Sequence, residues 1–545
     1  MKKIFSIVFI SIFLFACSQK TKVDLFVFNA TIYTVDSSFS TAEAMAVKDG
    51  KIVETGKTVD LEKKYDAKEK LDAKGKFIYP GFIDAHSHFV GYGQSLFTVN
   101  LYDSKSLDEV LQRVKDFVSI HPNESWIRGR GWDQNKFPGQ EFPNNDKLNE
   151  LFPDKPVLLG RVDGHAAIAN QKALDLAGIK AGDKLTGGLI EVKNGKLTGI
   201  LIDNAVGLVA AKIPATSNAD YEKWLEAAQQ NCFAVGLTTV EDCGLDYSTI
   251  LLIDSLQKND KLKMRIYAML SDNKRDLDFL LTKGKIKTDR LNVCAYKMYA
   301  DGALGSRGAC LLQPYSDKTG WYGFLLSPVG HYDSVARLIY EKGWQLCTHA
   351  IGDSGNRMIL NVYAKYLKGK NDLRWRVEHV QVINQNDFNL FGQYSIIPSI
   401  QPTHATSDMY WAGERLGSER EKGAYAYKQL LEQNGWIPLG TDFPVEDISP
   451  FKTFYAAVVR KDAKGWPENG FQMENALTRE ETLKGMTIWA AKAQFEENEK
   501  GSLEKGKFAD FVILDADLMK EAPEKLLNIK VWKTILGGKP VYEAK

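Results

Sequence analysis

The sequence predicts an α/β protein: a closed (β/α)8 TIM barrel with a small β-sandwich beside it, built from both ends of the chain. Three observations predict this. Eight apolar, strand-like runs alternate with helical patterns, as parallel βαβ units require. Short strands with turn signals stand at the two ends of the chain. Several of the eight runs close on His, Asp or Lys, and barrels of this kind carry their active sites at the C-terminal strand ends.

Residues 1–17 stand apart. Lys2 and Lys3 precede an apolar stretch from Ile4 to Ala16, too short for a spanning helix of ~20 residues. Leu14-Phe15-Ala16-Cys17 resembles a bacterial lipoprotein signal, with Cys17 lipidated as the mature N-terminus. The expected location is the bacterial cell envelope, lipid-anchored, facing the periplasm or in the outer membrane. A plain signal peptide or an uncleaved anchor is the alternative.

Residues 18–80 form the first part of the sandwich: VDLFVFNATIYTV alternates and AMAVKDGKIVETG holds an Asp-Gly hairpin. Residues 81–495 form the barrel. Its runs are FIYPGFIDAH, VGLTTVED, LKMRIYAML, NVCAYKMYAD, WQLCTHAIGD, LRWRVEHV, YSIIPSIQPTH and GWIPLGTDFP. The gap between the first two is too long for one βα unit, so residues 95–230 read as an insertion or lid. Residues 496–545 complete the sandwich with KFADFVILDAD and IKVWKTILGGKPVYEA.

The charge balance selects no macromolecular partner. Lys plus Arg is 70 and Asp plus Glu is 69, for a formal net charge of +1, which argues against nucleic acid or an anionic membrane surface. Membrane contact is expected only through the anchor. A homodimer is left open. Beyond Cys17, Cys232, Cys243, Cys294, Cys310 and Cys347 form no C-x-x-C pair, so buried free thiols are expected, with one disulfide as the alternative.

The chemistry lies in the strand ends. His86 and His88, two apart, point to one face of the first run and can grip a metal through neutral imidazoles. An isolated H-x-H is usually a surface pair, but this one closes a strong strand in a chain with eight histidines. His349 ends the fifth run and His379 the sixth. Asp442 ends the eighth, where it is either a helix N-cap or a carboxylate beside a metal. Lys297 sits inside the apolar fourth run. Burial and a nearby metal would depress its pKa, and the free amine could add carbon dioxide to give a carbamate that bridges two ions. The alternative is an ordinary ion pair with Asp301.

These stretches, IYPGFIDAHSH, the lysine strand running into YADGALGSRGA, THAIGD, EH, GTDFP and GSLEKGKFADFVILDAD, resemble the amidohydrolase superfamily. The likeness is to its third amidohydrolase family, which includes N-substituted formamide deformylases. It implies that His86, His88, Lys297 and Asp442 hold one divalent metal. It implies that Lys297, carbamylated, holds the second with His349 and His379. Zinc is the default ion, though manganese, cobalt or iron would also suit such donors. The implied reaction is hydrolysis of an amide-type C–N bond in a small molecule by a metal-bridging hydroxide, with Asp442 as the catalytic proton carrier.

Other residues are secondary candidates. His165, in the insertion, is expected to polarise the substrate carbonyl. Trp132, Tyr322, His404 and Trp411 are expected in the substrate pocket. Asp301, Arg307 and Asp353 are expected to orient metal ligands. His121 and His331 read as surface residues. Two rival functions remain: another hydrolase of the superfamily, a deaminase or ester hydrolase, and a non-catalytic ligand-binding lipoprotein. One-metal deaminases carry a Glu shortly after the fifth-strand His, where this chain has IGDSGN.

Overall fold

A computed structural model describes residues 20–545. Cys17 and the leader lie outside the described residues.

Seven parallel strands run in order around the barrel: Phe82–Ser87, Leu237–Leu245, Arg265–Ser271, Leu291–Tyr299, Gln345–Ala350, Arg376–His379 and Ile397–Ser399. Their residues are almost all buried, as expected of strands covered on both faces. The eighth run closes the ring without becoming a regular strand. It pairs with the seventh strand only through the parallel bridge Ile400–Leu439, and with the first through Ala85 N–H to the Leu439 carbonyl at 3.1 Å. Pro438 and Pro444 remove donors on either side, so no ladder can propagate. Gly440 permits the close approach: a Cβ there would stand 2.4 Å from the His86 nitrogen.

The two termini combine as the sequence predicts. One sheet orders Lys539–Glu543, Val531–Leu536, Phe511–Leu514, Phe77–Pro80, Thr31–Tyr33 and Thr41–Ala42, so C-terminal and N-terminal strands share it. A four-stranded sheet (Lys51–Gly56, Ala44–Lys48, Thr21–Phe28, Tyr65–Asp72) packs on it through Leu25, Val27, Met45, Ile78, Phe511 and Ile513. The apolar alternation of both segments fills this core.

The insertion folds around its own six-stranded sheet, from Val99–Asn100 to Lys196–Asp203, with two apolar cores of its own. It ends earlier than the sequence suggests. Helix Asn218–Ala234 buries Leu225, Ala228, Cys232 and Phe233 in the main barrel core, and so belongs to the barrel. All five described cysteines are free thiols.

Candidate active site

The first strand and the eighth segment meet where Gly440 lets them touch. Asp442 N–H donates to the His86 carbonyl at 2.7 Å, and His88 N–H to the Phe443 carbonyl at 2.8 Å. This pairing carries the Asp442 side chain to His86 and His88: Oδ1 lies 3.6 Å from His86 Nε2 and 3.3 Å from His88 Nε2. One ligand atom from each of the three lies within 4.8 Å of the others, close enough to share an ion. Asp442 has φ +63° and His379 φ +73°, backbone values uncommon outside glycine. Strain of this kind gathers at functional sites.

The hydrogen bonds of each imidazole decide which nitrogen is free. His86 Nδ1–H donates to Glu378 at 2.6 Å, and His379 Nδ1–H to the Gln401 side-chain carbonyl at 2.8 Å. Each keeps an Nε2 lone pair for a cation. His404 is the opposite case. Its Nδ1 accepts from the Gln381 amide nitrogen at 3.0 Å, so its Nε2 carries the proton and faces Asp442 Oδ2 at 3.7 Å. His379, His404 and Asp442 also lie within shared reach of one ion.

Burial and the Lys297 charge hold His86 down at about 4. Burial, with neighbouring charge, holds His349 and His379 well below the usual imidazole range. All three are therefore neutral, the form a metal requires. Burial alone would push Asp442 up, but the contact with His88, 3.3 Å away, leads those that hold it well below the usual carboxylate range, so it is an anion. His86 Nε2, Lys297 Nζ, His349 Nε2, His404 Nε2 and Asp442 Oδ1 are all buried without a hydrogen-bond partner. Five orphaned atoms at one mouth are costly unless something joins them.

Lys297 is fully buried, its Nζ 4.6 Å from the Tyr299 ring. Burial pushes its ammonium down, but Tyr299, Cys243, Glu378 and Asp442 outweigh that and leave it raised. The depression expected of this amine depends on a metal ion beside it, whose charge would add to the desolvation. The alternative pairing with Asp301 fails, because Asp301 accepts the backbone N–H groups of Ile351, Gly352 and Cys310 at 2.8–2.9 Å. It thereby fixes the turn after His349, whose Nε2 stands 3.8 Å from it.

A cavity of about 640 Å³ opens above these groups, lined by His349, His379, His404, Asp442, Trp411 and His165 among others. The ring of His165 lies 4.8 Å from that of His349. Its Nδ1–H donates to Asp203 at 2.6 Å, and although burial pushes the imidazole down, Asp203 raises it. Asp203, with φ +52°, is wedged under the loop after the lysine strand: a Cβ on Gly302 would fall 2.3 Å from its Oδ2. The insertion is thus clamped to the barrel through the residue that orients His165.

Four sequence expectations need correction. Trp132 does not line the cavity. Gly131, at φ +117°, sits in a register shift between Arg130 and Trp132, which turns the indole into the insertion core, where its N–H donates to the Leu159 carbonyl. Tyr322 is 47% exposed and outside the cavity. Arg307 pairs with Asp317 at 2.8 Å and touches no ligand. Asp353 accepts from Leu312 N–H at 2.9 Å, tying down the loop after the lysine strand rather than a ligand. His331 is partly exposed and bonded to Asp272, and His121 is exposed.

Sequence reasoning missed Glu378, Asp203 and Gln401, which orient His86, His165 and His379. It also missed Arg376, which is fully buried and joins Glu378, Glu241, Ser399 and the Ala85 carbonyl beneath the site. Glu378 directly precedes a suspected ligand in Val377-Glu378-His379, and that adjacency was the available signal.

Comparison with known proteins agrees with this architecture. Residues 69–542 match the amidohydrolase family, Amidohydro_3. The Arabidopsis thaliana protein LONG AFTER FAR-RED 3 is 34% identical, over 95% of this chain and 91% of its own length. An N-substituted formamide deformylase of Arthrobacter pascens is 27% identical, over 95% of this chain and 98% of its own. The crystal structure of an uncharacterized metal-dependent hydrolase from Pyrococcus horikoshii superposes with a TM-score of 0.74 at 27% identity, covering 92% of this chain and 99% of the other. Matches that run through both halves of the sandwich, the insertion and the whole barrel mean that this chain belongs to the amidohydrolase family and is a hydrolase.

Proposed function

We propose that the protein is a metal-dependent hydrolase of amide-type C–N bonds, acting on an N-acyl, N-formyl or cyclic amide. The observation that carries this is the set of orphaned, neutral imidazoles around one ionised carboxylate, which fits divalent cations. His86, His88 and Asp442 would hold one ion. His349 and His379, with Lys297 in its carbamylated form, would complete a second. Ions bound there supply a lowered water pKa and polarisation of the substrate carbonyl.

The chain's own groups do the rest. Asp442, anionic and facing the cavity, accepts a proton from the attacking water and returns it to the departing nitrogen, which leaves poorly as an anion. His165, oriented by the bond from its Nδ1–H to Asp203, stands ready to hydrogen-bond the carbonyl oxygen as negative charge develops there. His404 adds a second donor beside Asp442. The likeness to a formamide deformylase supports the bond class.

The test is a hydrolysis screen of N-formyl, N-acyl and cyclic amides with the zinc-loaded full-length protein, alongside metal analysis. Amine release that a chelator abolishes, with two ions per chain, is the expected result. Ammonia release from aminopurines or aminopyrimidines with one ion per chain would instead make it a deaminase. Hydrolysis of esters alone would overturn the C–N assignment.

A further inference from the structure

We infer that Arg130 is a docking point for a carboxylate, so that the substrate class is an N-acylated amino acid. The inference rests on the amide-hydrolase reading above and deepens it.

The argument begins with the cations of the cavity wall. Arg161 is clamped between Asp133 and Asp163, each at 2.5 Å. Lys136 pairs with Asp103 at 3.0 Å and Lys452 with Asp447 at 2.7 Å. Arg130 lines the same cavity, and among the described residues it has no carboxylate partner. Its one hydrogen bond runs from Nη2 to the Val162 carbonyl at 3.2 Å, and its buried Nε has no acceptor at all. A guanidinium presents five donors in a planar fork that matches a carboxylate edge, and leaving them unused in a half-buried wall is costly.

Its position suits an α-carboxylate. The guanidinium rests on the loop that carries His165: Gly164 has φ +77°, and a Cβ there would stand 3.0 Å from Arg130 Nη2. The next residue, His165, faces His349. Anion and scissile carbonyl would therefore be held side by side, one by Arg130 of the strand Ile127–Trp132 and the other by His165 of the loop against which that guanidinium rests, the spacing of adjacent groups on one small molecule. The register shift at Gly131 that sends Trp132 into the core is what leaves Arg130 at the cavity.

The test is calorimetric. Zinc-loaded full-length protein is titrated with N-methanesulfonyl-leucine, which resists hydrolysis, and with its neutral carboxamide. Wild type should prefer the carboxylate roughly 10- to 100-fold. Arg130→Gln should lose that preference, and Arg130→Lys should keep part of it, both variants retaining wild-type zinc content and circular dichroism. Equal affinity for the two probes, binding of neither, or a preference that survives in Arg130→Gln would overturn the inference. A parallel turnover assay with N-acetyl-leucine and N-acetyl-leucinamide separates the two claims. Charge-selective binding without hydrolysis of either removes the amide-hydrolase reading and leaves the carboxylate site standing.

Discussion

The barrel buries charge in two places, and they are built to opposite rules. At the junction with the sandwich, Arg265 of the third strand uses all three of its nitrogens: Nε and Nη2 on Asp510 at 2.6 and 3.0 Å, and Nη1 on the Asp289 carbonyl at 2.5 Å, with the Phe508 ring 3.8 Å from its guanidinium. At the mouth, His86, Lys297, His349, His404 and Asp442 each keep a buried atom with no partner. The named atoms in both places are buried, and an unmet polar atom in such surroundings costs about 1–3 kcal/mol, more where it is charged. The junction is therefore finished by the chain itself, while the mouth is finished only when something else arrives. Of these two places, the one with the complete hydrogen-bond count belongs to the framework and the one with the incomplete count opens on the cavity.

That contrast is sharpest under substitution. Asp442→Asn should lower kcat by roughly 10²–10⁴-fold, since the carboxamide cannot carry a proton between water and the leaving nitrogen. Its denaturation midpoint should move less than that of a junction variant, because the carboxylate meets only the imidazoles of the mouth, His88 closest at 3.3 Å. Full turnover in a metal-loaded variant would break the assignment. Asp510→Ala should do the reverse. It strands the Arg265 guanidinium, and loss of one partner from a buried pair costs about 3–5 kcal/mol. Urea unfolding should show that loss, with kcat per folded molecule unchanged. An intact midpoint would mean that the junction is not the clasp described.

How much of this was legible in the sequence follows the same division. His86, His88, His349, His379 and Asp442 could be placed because strand ends converge by topology, and a period-two run announces its own end. The sandwich could be placed because both termini alternate. The eighth strand was over-read, since Pro438 and Pro444 forbid the ladder that its apolar pattern suggests. Trp132 was misplaced because it read as a loop residue beside the strand ends, whereas it ends a strand of the insertion sheet and the bulge at Gly131 turns it into that core. Asp203 was out of reach. It lies 38 residues from His165, and its role depends on how the insertion sheet folds back onto the glycine loop. Local pattern gives what a residue is and which way a strand faces. It does not give which distant acceptor fixes a ring.

Glu378 tests the contrast where its two rules overlap. One face of its carboxylate is tied to Arg376, at 2.7 Å from Nε, and belongs to the buried framework. The other accepts His86 Nδ1–H at 2.6 Å and aims Nε2 at Asp442. Burial pushes the Glu378 carboxyl up, but Arg376 and His86 overcome it and hold it well below the usual range, so it stays ionised. Glu378→Gln keeps the shape and removes the charge. The amide oxygen can still accept from His86, but the imidazole loses the anion that makes it a better ligand. Metal affinity should fall roughly 10–100-fold, as for other partners behind a ligating histidine, and added zinc should restore most of the activity. A purely structural role predicts a different pattern: a lower midpoint from the weakened Arg376 pair, with zinc affinity unchanged and no rescue by added metal. Zinc titration of the apo-variant by competitive chelation distinguishes the two, and unchanged affinity would move Glu378 from the site to the scaffold.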